Sequence, residues 1–261
     1  MSKLKLALAA MLFLASGASA AEKYDQRNVL PKSAPPAVDE PAQPEVPAIP
    51  PAAQFFAALL PSTEATLREA YRAEYDGLVA LIDSGMLGGA DETALTTILA
   101  QGVADIGTRL QDRMLVAPLV AIDDVLATTR RFLGELDSME GGAICAPAAF
   151  KGSIVLIETG FWDKYSILLD DAHAAFFAAI AAADAAPVTD RVPVSEPDIE
   201  ALRAYLTEQG MASSLDHLAE TTPDNPDNCK AMVALIDGIL AMPEEQRARL
   251  GAKQARAAAG I

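Results

Sequence analysis

From Ser62 onward, apolar side chains return every three or four positions and almost never alternate. A half-buried strand alternates, whereas a helix lays its apolar residues in a stripe at 3.6 residues per turn. That periodicity restricts the chain to an all-α fold. In Ser62–Gly85 the stripe is Leu67, Tyr71, Leu78 and Ile82, with Glu64 and Arg68 paired one turn apart on another side. Ser62 is the expected N-cap and Gly85 the expected stop.

A second helix follows Asp91 as cap, with Leu95, Ile98, Leu99, Val103, Ile106 and Leu110 facing inward. Gly102 and Gly107 sit inside it at a cost in helix propensity, which predicts close approach by a neighbouring helix, with a binding notch as the alternative. Pro118 belongs in a first turn or at a kink. Leu119, Ile122, Leu126, Leu133 and Leu136 supply the third apolar face, which Gly141–Gly142 ends before a loop holding Cys145. The run from Ser153 to Ala186 reads as one long helix or as two broken near Gly160. Its opening, Ser153–Glu158, is β-branched at three positions; we expect helix, with a short strand as the alternative.

Pro187–Pro197 is a connecting loop. Ser195 and Asp198 have capping-box spacing, launching a helix that Gly210 stops. A short segment around Leu215 and Leu218 precedes the turn-rich "TTPDNPDN". Asn228 is the expected cap of the next helix, and Pro243 opens a last, polar one. The shared "VALID" of Val79–Asp83 and Val233–Asp237 has helix-core composition and establishes no repeat. Short connections favour antiparallel neighbours, so residues 54–261 are expected to form a single bundle of six to eight helices.

The beginning of the chain is different. Residues 1–20 carry Lys3 and Lys5, an apolar run from Leu6 to Ala15, and small residues at Ala18–Ala20. This is the pattern of a secretory signal cut after Ala20, which places the remainder in a periplasm or outside the cell. Residues 21–53 form a leader with eight prolines between Pro31 and Pro51. Proline lacks an amide donor and fixes φ, so an extended spacer of about 65 Å is expected there, at roughly 3.1 Å per residue. Beyond residue 20 the most apolar stretch, Ala172–Ala186, is alanine-rich and interrupted by His173 and Asp184, and is read as a buried helix rather than a membrane span.

Export bears directly on the two cysteines, Cys145 and Cys229. Thiols oxidise outside the cytoplasm, and both residues lie beside turn-forming glycine or proline. A bond between them closes a loop of 84 sequence steps, worth about 4.5 kcal/mol in the chain-entropy model. Only Lys151 stands near Cys145 to activate a thiolate. A structural disulfide is the expectation.

Charge narrows the choice of partners. Removing Lys3 and Lys5 with the signal takes the formal net charge from −16 to −18. Such a surface repels phosphate backbones and anionic lipid, which argues against nucleic acid and membrane surfaces as partners.

Candidate chemistry is sparse. Asp170 and His173 lie one turn apart, and His217 stands beside Asp216; converging, Asp170, His173 and His217 would make a two-histidine, one-carboxylate metal site. Phe161, Trp162 and Tyr165, with His173, form the richest candidate contact surface for a partner or an apolar ligand. Glu158 and Asp163 are the best carboxylate pair for hydrolysis, and Ser153 lacks the G-x-S-x-G elbow of a serine hydrolase. The sequence thus supports an exported, non-enzymatic helical domain acting by protein contact on an envelope protein or on itself, with no cofactor. A ligand-, haem- or metal-binding helical protein is the alternative, and a carboxylate hydrolase the third reading. A binder is expected to show a cavity lined by Trp162 or His173, and a contact domain a filled core with an exposed apolar patch. A hydrolase would set Glu158, Asp163 or Asp170 beside another polar group in a cleft.

Overall fold

A computed structural model describes residues 50–211, 218, 222 and 225–260. The signal-like segment, nearly all of the proline-rich leader, Leu215 and His217 lie outside the described residues. Within them the fold is all-helical, with no strand and eleven α-helices rather than six to eight. In chain order these are α1 (Pro51–Leu59), α2 (Pro61–Ala70), α3 (Arg72–Leu87) and α4 (Glu92–Leu110), followed by a 3-10 turn, Gln111–Val116. Next come α5 (Leu119–Glu140), α6 (Gly142–Lys151), α7 (Ile154–Glu158) and α8 (Trp162–Ala185). The chain closes with α9 (Glu196–Glu208), α10 (Asn228–Leu240) and α11 (Glu244–Ala257), and a 3-10 turn, Ala258–Gly260.

The additional helices come from breaks that periodicity does not reveal. The first helix starts at Pro51, three residues before the expected domain start, with proline accommodated in its first turn and Ala52, Ala53 and Phe56 buried. Leu60 ends it because the residue before Pro61 is excluded from the helical region. Ser62 is therefore not an N-cap; it lies inside α2. Tyr71 splits the expected Ser62–Gly85 helix in two, with φ −134° and ψ 58° and no proline after it. Its side chain is drawn inward, where the hydroxyl donates to Asp184 Oδ2 at 2.9 Å.

The expected loop around Cys145 is α6, which accommodates Pro147 within a single short helix. Ser153–Glu158 is helical rather than extended, and Gly160, at φ 76°, separates α7 from α8. The expected caps at Asp91 and at Ser195 with Asp198 are present: the Ala94 amide donates to Asp91 at 2.8 Å, and the Ser195 capping box is complete. Asp227, not Asn228, is the N-cap of α10.

Buried residues from every helix form one contiguous cluster. At its centre α5 packs along α8, and Phe132, Leu133 and Leu136 of the first and Leu169, Phe177 and Ile180 of the second are all buried. On the other side α5 carries α10 and α11, and α2 lies across α8. The last helix is polar in sequence, yet it buries Leu250, Ala252 and Ala255. With 24 residues and its apolar composition, α8 is long enough to span a bilayer, a length the Ala172–Ala186 stretch understates. Half of its most apolar window is packed inside this core.

The two internal glycines of α4 allow close contacts. A Cβ on Gly102 would stand 2.3 Å from Leu78 Cδ1, and one on Gly107 would stand 2.5 Å from the Ala259 carbonyl oxygen. The disulfide Cys145–Cys229 joins α6 to α10 with its Cα atoms 5.8 Å apart and both residues fully buried. Beside it, Gly142 lies so close to the Pro226 carbonyl that any Cβ would overlap it.

Candidate functional site

The residues nominated for chemistry lie mainly on α8. Trp162, Tyr165, Leu169, Asp170, His173, Phe176 and Phe177 are buried there, at the spacing of one helical face. Phe161 precedes the helix and sets its ring edge-on to Tyr165, 6.3 Å between centroids. These aromatic side chains belong to the packed interior, and the Trp162 indole nitrogen is buried with no acceptor among the described residues.

Asp170 is 3% exposed and holds the start of another helix. The Ser62 amide donates to Oδ2 at 2.9 Å and the Thr63 amide to Oδ1 at 2.8 Å. The Thr63 hydroxyl donates to the Asp170 backbone carbonyl at 3.3 Å. Leu60 has no capping side chain of its own, so Asp170 supplies from α8 the acceptors that the first amides of α2 lack. Both carboxylate oxygens are thereby committed to backbone. His173 is buried one turn further along α8, and His217 lies outside the described residues.

The remaining nominated acids do not share a cleft. Glu158 ends α7 and Asp163 starts α8, and both are exposed. Ser153 is buried before α7. The Asp137 carboxylate does approach both cysteine sulfurs, within 4.8 Å. In the disulfide those sulfurs are bonded to each other and are not thiolate ligands.

Ion pairs tie the helices together. Asp198, 1% exposed, accepts from the Ser195 amide and hydroxyl, each at 2.8 Å, and from Arg249 at 2.6 and 3.0 Å. The Arg249 hydrogen bonds hold its carboxyl at about 2. Glu140 receives Lys164 and the Tyr165 hydroxyl, and the Lys164 bond lowers its affinity for a proton. Asp184 receives Arg113 and Tyr71, and burial followed by the Asp184 contact pushes the Tyr71 phenol far above its ordinary range. Arg191 donates to the Leu115 and Ala117 carbonyls, strapping the loop before α9 onto the first 3-10 turn.

Apart from the residues nominated for chemistry, a surface groove of about 340 Å³ runs along the α3·α4 hairpin. Leu78 and Ile106 make its apolar floor, Gly77 and Gly102 its walls, and Glu74, Asp105 and Arg109 its charged rim. Nothing lies within 4 Å of a Cβ built on Gly77, so the wall is open there. Leu81 stands on the edge, 58% exposed. Asp105 accepts from Gln101 at 3.0 Å; Glu74 and Arg109 make no ion pair or hydrogen bond among the described residues. Gly102, expected to permit close helix approach with a binding notch as the alternative, does the first against Leu78 and also lines this groove. The groove contains neither Trp162 nor His173.

Comparison with known proteins finds no matching family model, no matching curated protein and no matching solved structure. Any functional reading therefore rests on the chain itself.

Proposed function

We propose that this chain is an exported, non-enzymatic contact domain: one helical body behind a cleaved signal and a proline-rich leader, acting by protein–protein association in the cell envelope. The observation that carries the reading is the groove with Leu81 held out on its edge. Apolar side chains this exposed on a helix whose inner face is already packed are available for a partner. Val120, Ile167 and Val192 are similarly exposed, at 70, 75 and 63%. The polar groups that chemistry would need act instead as helix-to-helix ties, as Asp170 and Asp198 do.

The test is a photo-crosslinking residue at Leu81 in cells that export the chain. The expected outcome is a discrete protein adduct that Gly77→Trp, which fills the groove, abolishes. A stoichiometric small molecule or metal retained on the monomer in native mass spectrometry, with no protein adduct at Leu81, would overturn the reading in favour of a ligand binder.

A further inference from the structure

Three helices meet at the disulfide, and one acid among them has no donor to accept from. The helix α5 packs against α6 and α10, and those two pack against each other. Cys145 on α6 and Cys229 on α10 are fully buried there. Asp137 on α5 brings a carboxylate oxygen within 4.8 Å of both sulfurs. Its Oδ1 is buried with no hydrogen-bond partner among the described residues. Asp170 and Asp198 show what a buried carboxylate otherwise does in this fold, taking donors from backbone or from arginine. Asp137 instead faces two sulfurs that carry no hydrogen while they are bonded to each other. An orphaned buried oxygen costs free energy, and the oxidised form gives this one nothing to bind.

The reduced form does. Two thiolates and a carboxylate make a donor set suited to zinc, and the carboxylate favours zinc over copper(I). A fourth donor stands beside them. The Leu133 carbonyl oxygen, one turn before Asp137, lies 3.3 Å from Cys145 Sγ and 4.0 Å from Cys229 Sγ. Bond lengths of about 2.0–2.3 Å in a tetrahedral zinc site set its donors about 3.3–3.8 Å apart. Both oxygens are therefore close to the required spacing. The sulfurs must part, and with their Cα atoms 5.8 Å apart side-chain rotation supplies that.

We propose that the reduced chain binds one zinc ion through Cys145, Cys229 and Asp137, with the Leu133 carbonyl on the fourth side. Metal and disulfide are alternative ties between the same three helices, because bonded sulfurs carry no thiolate. A chain not yet oxidised holds both thiols. A phosphine regenerates them by breaking the S–S bond and leaving as its oxide, with oxygen and two protons drawn from water. Zinc then displaces both thiol protons as it binds. The site is closed to solvent, so the metal enters as the chain folds. The proposal is independent of the contact-domain reading, which concerns α3 and α4 and the oxidised chain.

The test takes the full mature chain, reduced by a phosphine in urea and refolded with and without zinc chloride. Native mass spectrometry is expected to show one zinc on each reduced chain and none on the oxidised chain. Zinc should raise the melting temperature of the reduced chain in circular dichroism and leave that of the oxidised chain unchanged. Cobalt(II) in place of zinc should give the visible bands of a tetrahedral site together with thiolate-to-metal charge transfer. Asp137→Asn should weaken zinc binding at least about tenfold in competition with a chelator. Cys145→Ser should lower uptake to that of the oxidised chain. A reduced chain that refolds without taking up zinc overturns the proposal, as does one that stays unfolded with zinc present. Uptake unchanged by Asp137→Asn also overturns it, because the metal then sits elsewhere.

Discussion

Asp170 Oδ1 accepts a 2.8 Å hydrogen bond from the Thr63 amide, 107 residues earlier in the chain. This contact and its Ser62 counterpart anchor the N-terminal helices to the centre of the core. Asp170→Ala removes both acceptors and leaves two amides at the start of α2 without them, at a cost of about 1–3 kcal/mol. Asp170→Asn keeps one acceptor oxygen and should lose less. Urea unfolding of the two variants should rank them in that order. A ligand role alone would leave stability unchanged.

Asp198 and Arg249 make stability pH-dependent in a defined window. The carboxyl is held at about 2 in the fold, below its ordinary value of 3.8. A lowered folded value favours the native state above the unfolded value, so this contribution is complete above about pH 5. It is lost as pH falls through 4 toward 2. The distance from 3.8 to about 2 corresponds to about 2.4 kcal/mol. The stability gap between wild type and Asp198→Asn should therefore narrow steadily over that range; a gap constant from pH 6 to pH 3 would refute the assignment.

Cys145 and Cys229 are wholly buried, so an external thiol reaches them only when the core opens. Dithiothreitol is expected to leave the native disulfide intact over hours and to reduce it promptly in urea, read by mass as a gain of about two protons. Replacing both cysteines with serine should cost up to about 4.5 kcal/mol, the chain-entropy value for a loop of this size.

The two glycines of α4 should respond differently to alanine. At Gly102 the new methyl meets the flexible end of Leu78, which can rotate aside, and the gain in helix propensity offsets part of the strain. At Gly107 it meets the Ala259 backbone carbonyl, which moves only with the C-terminal turn. Gly107→Ala should be the more destabilising, by about 1–3 kcal/mol. Thermal unfolding of the pair decides this.

Leu60, Ala186 and Tyr71 show how far local rules reach. All three share nearly the same non-helical backbone and end a helix. Leu60 and Ala186 do so because a proline follows, which is legible in the sequence. Arg72 follows Tyr71, so no proline marks the break there, and the contact made at that position, from the phenol to Asp184, spans 113 residues. The polar C-terminal helix is a comparable case. Its burial depends on small residues, Gly251, Ala252 and Ala255, fitting against neighbours such as Ile122 and Leu126.

What the sequence determined by itself were the properties set within one turn of helix or by composition: the all-α class, the caps at Asp91 and Ser195, the stop at Gly141, and the cysteine pair. Each depends on backbone sterics or local hydrogen bonding that neighbouring residues settle. Tertiary structure alone decided the rest. It turned Asp170 from a candidate ligand into the cap of α2, made the Cys145 loop a helix, and opened a groove between Gly77 and Gly102. These outcomes depend on which helices lie side by side. That choice follows from how buried surfaces of distant segments fit together, and no spacing along the chain records it.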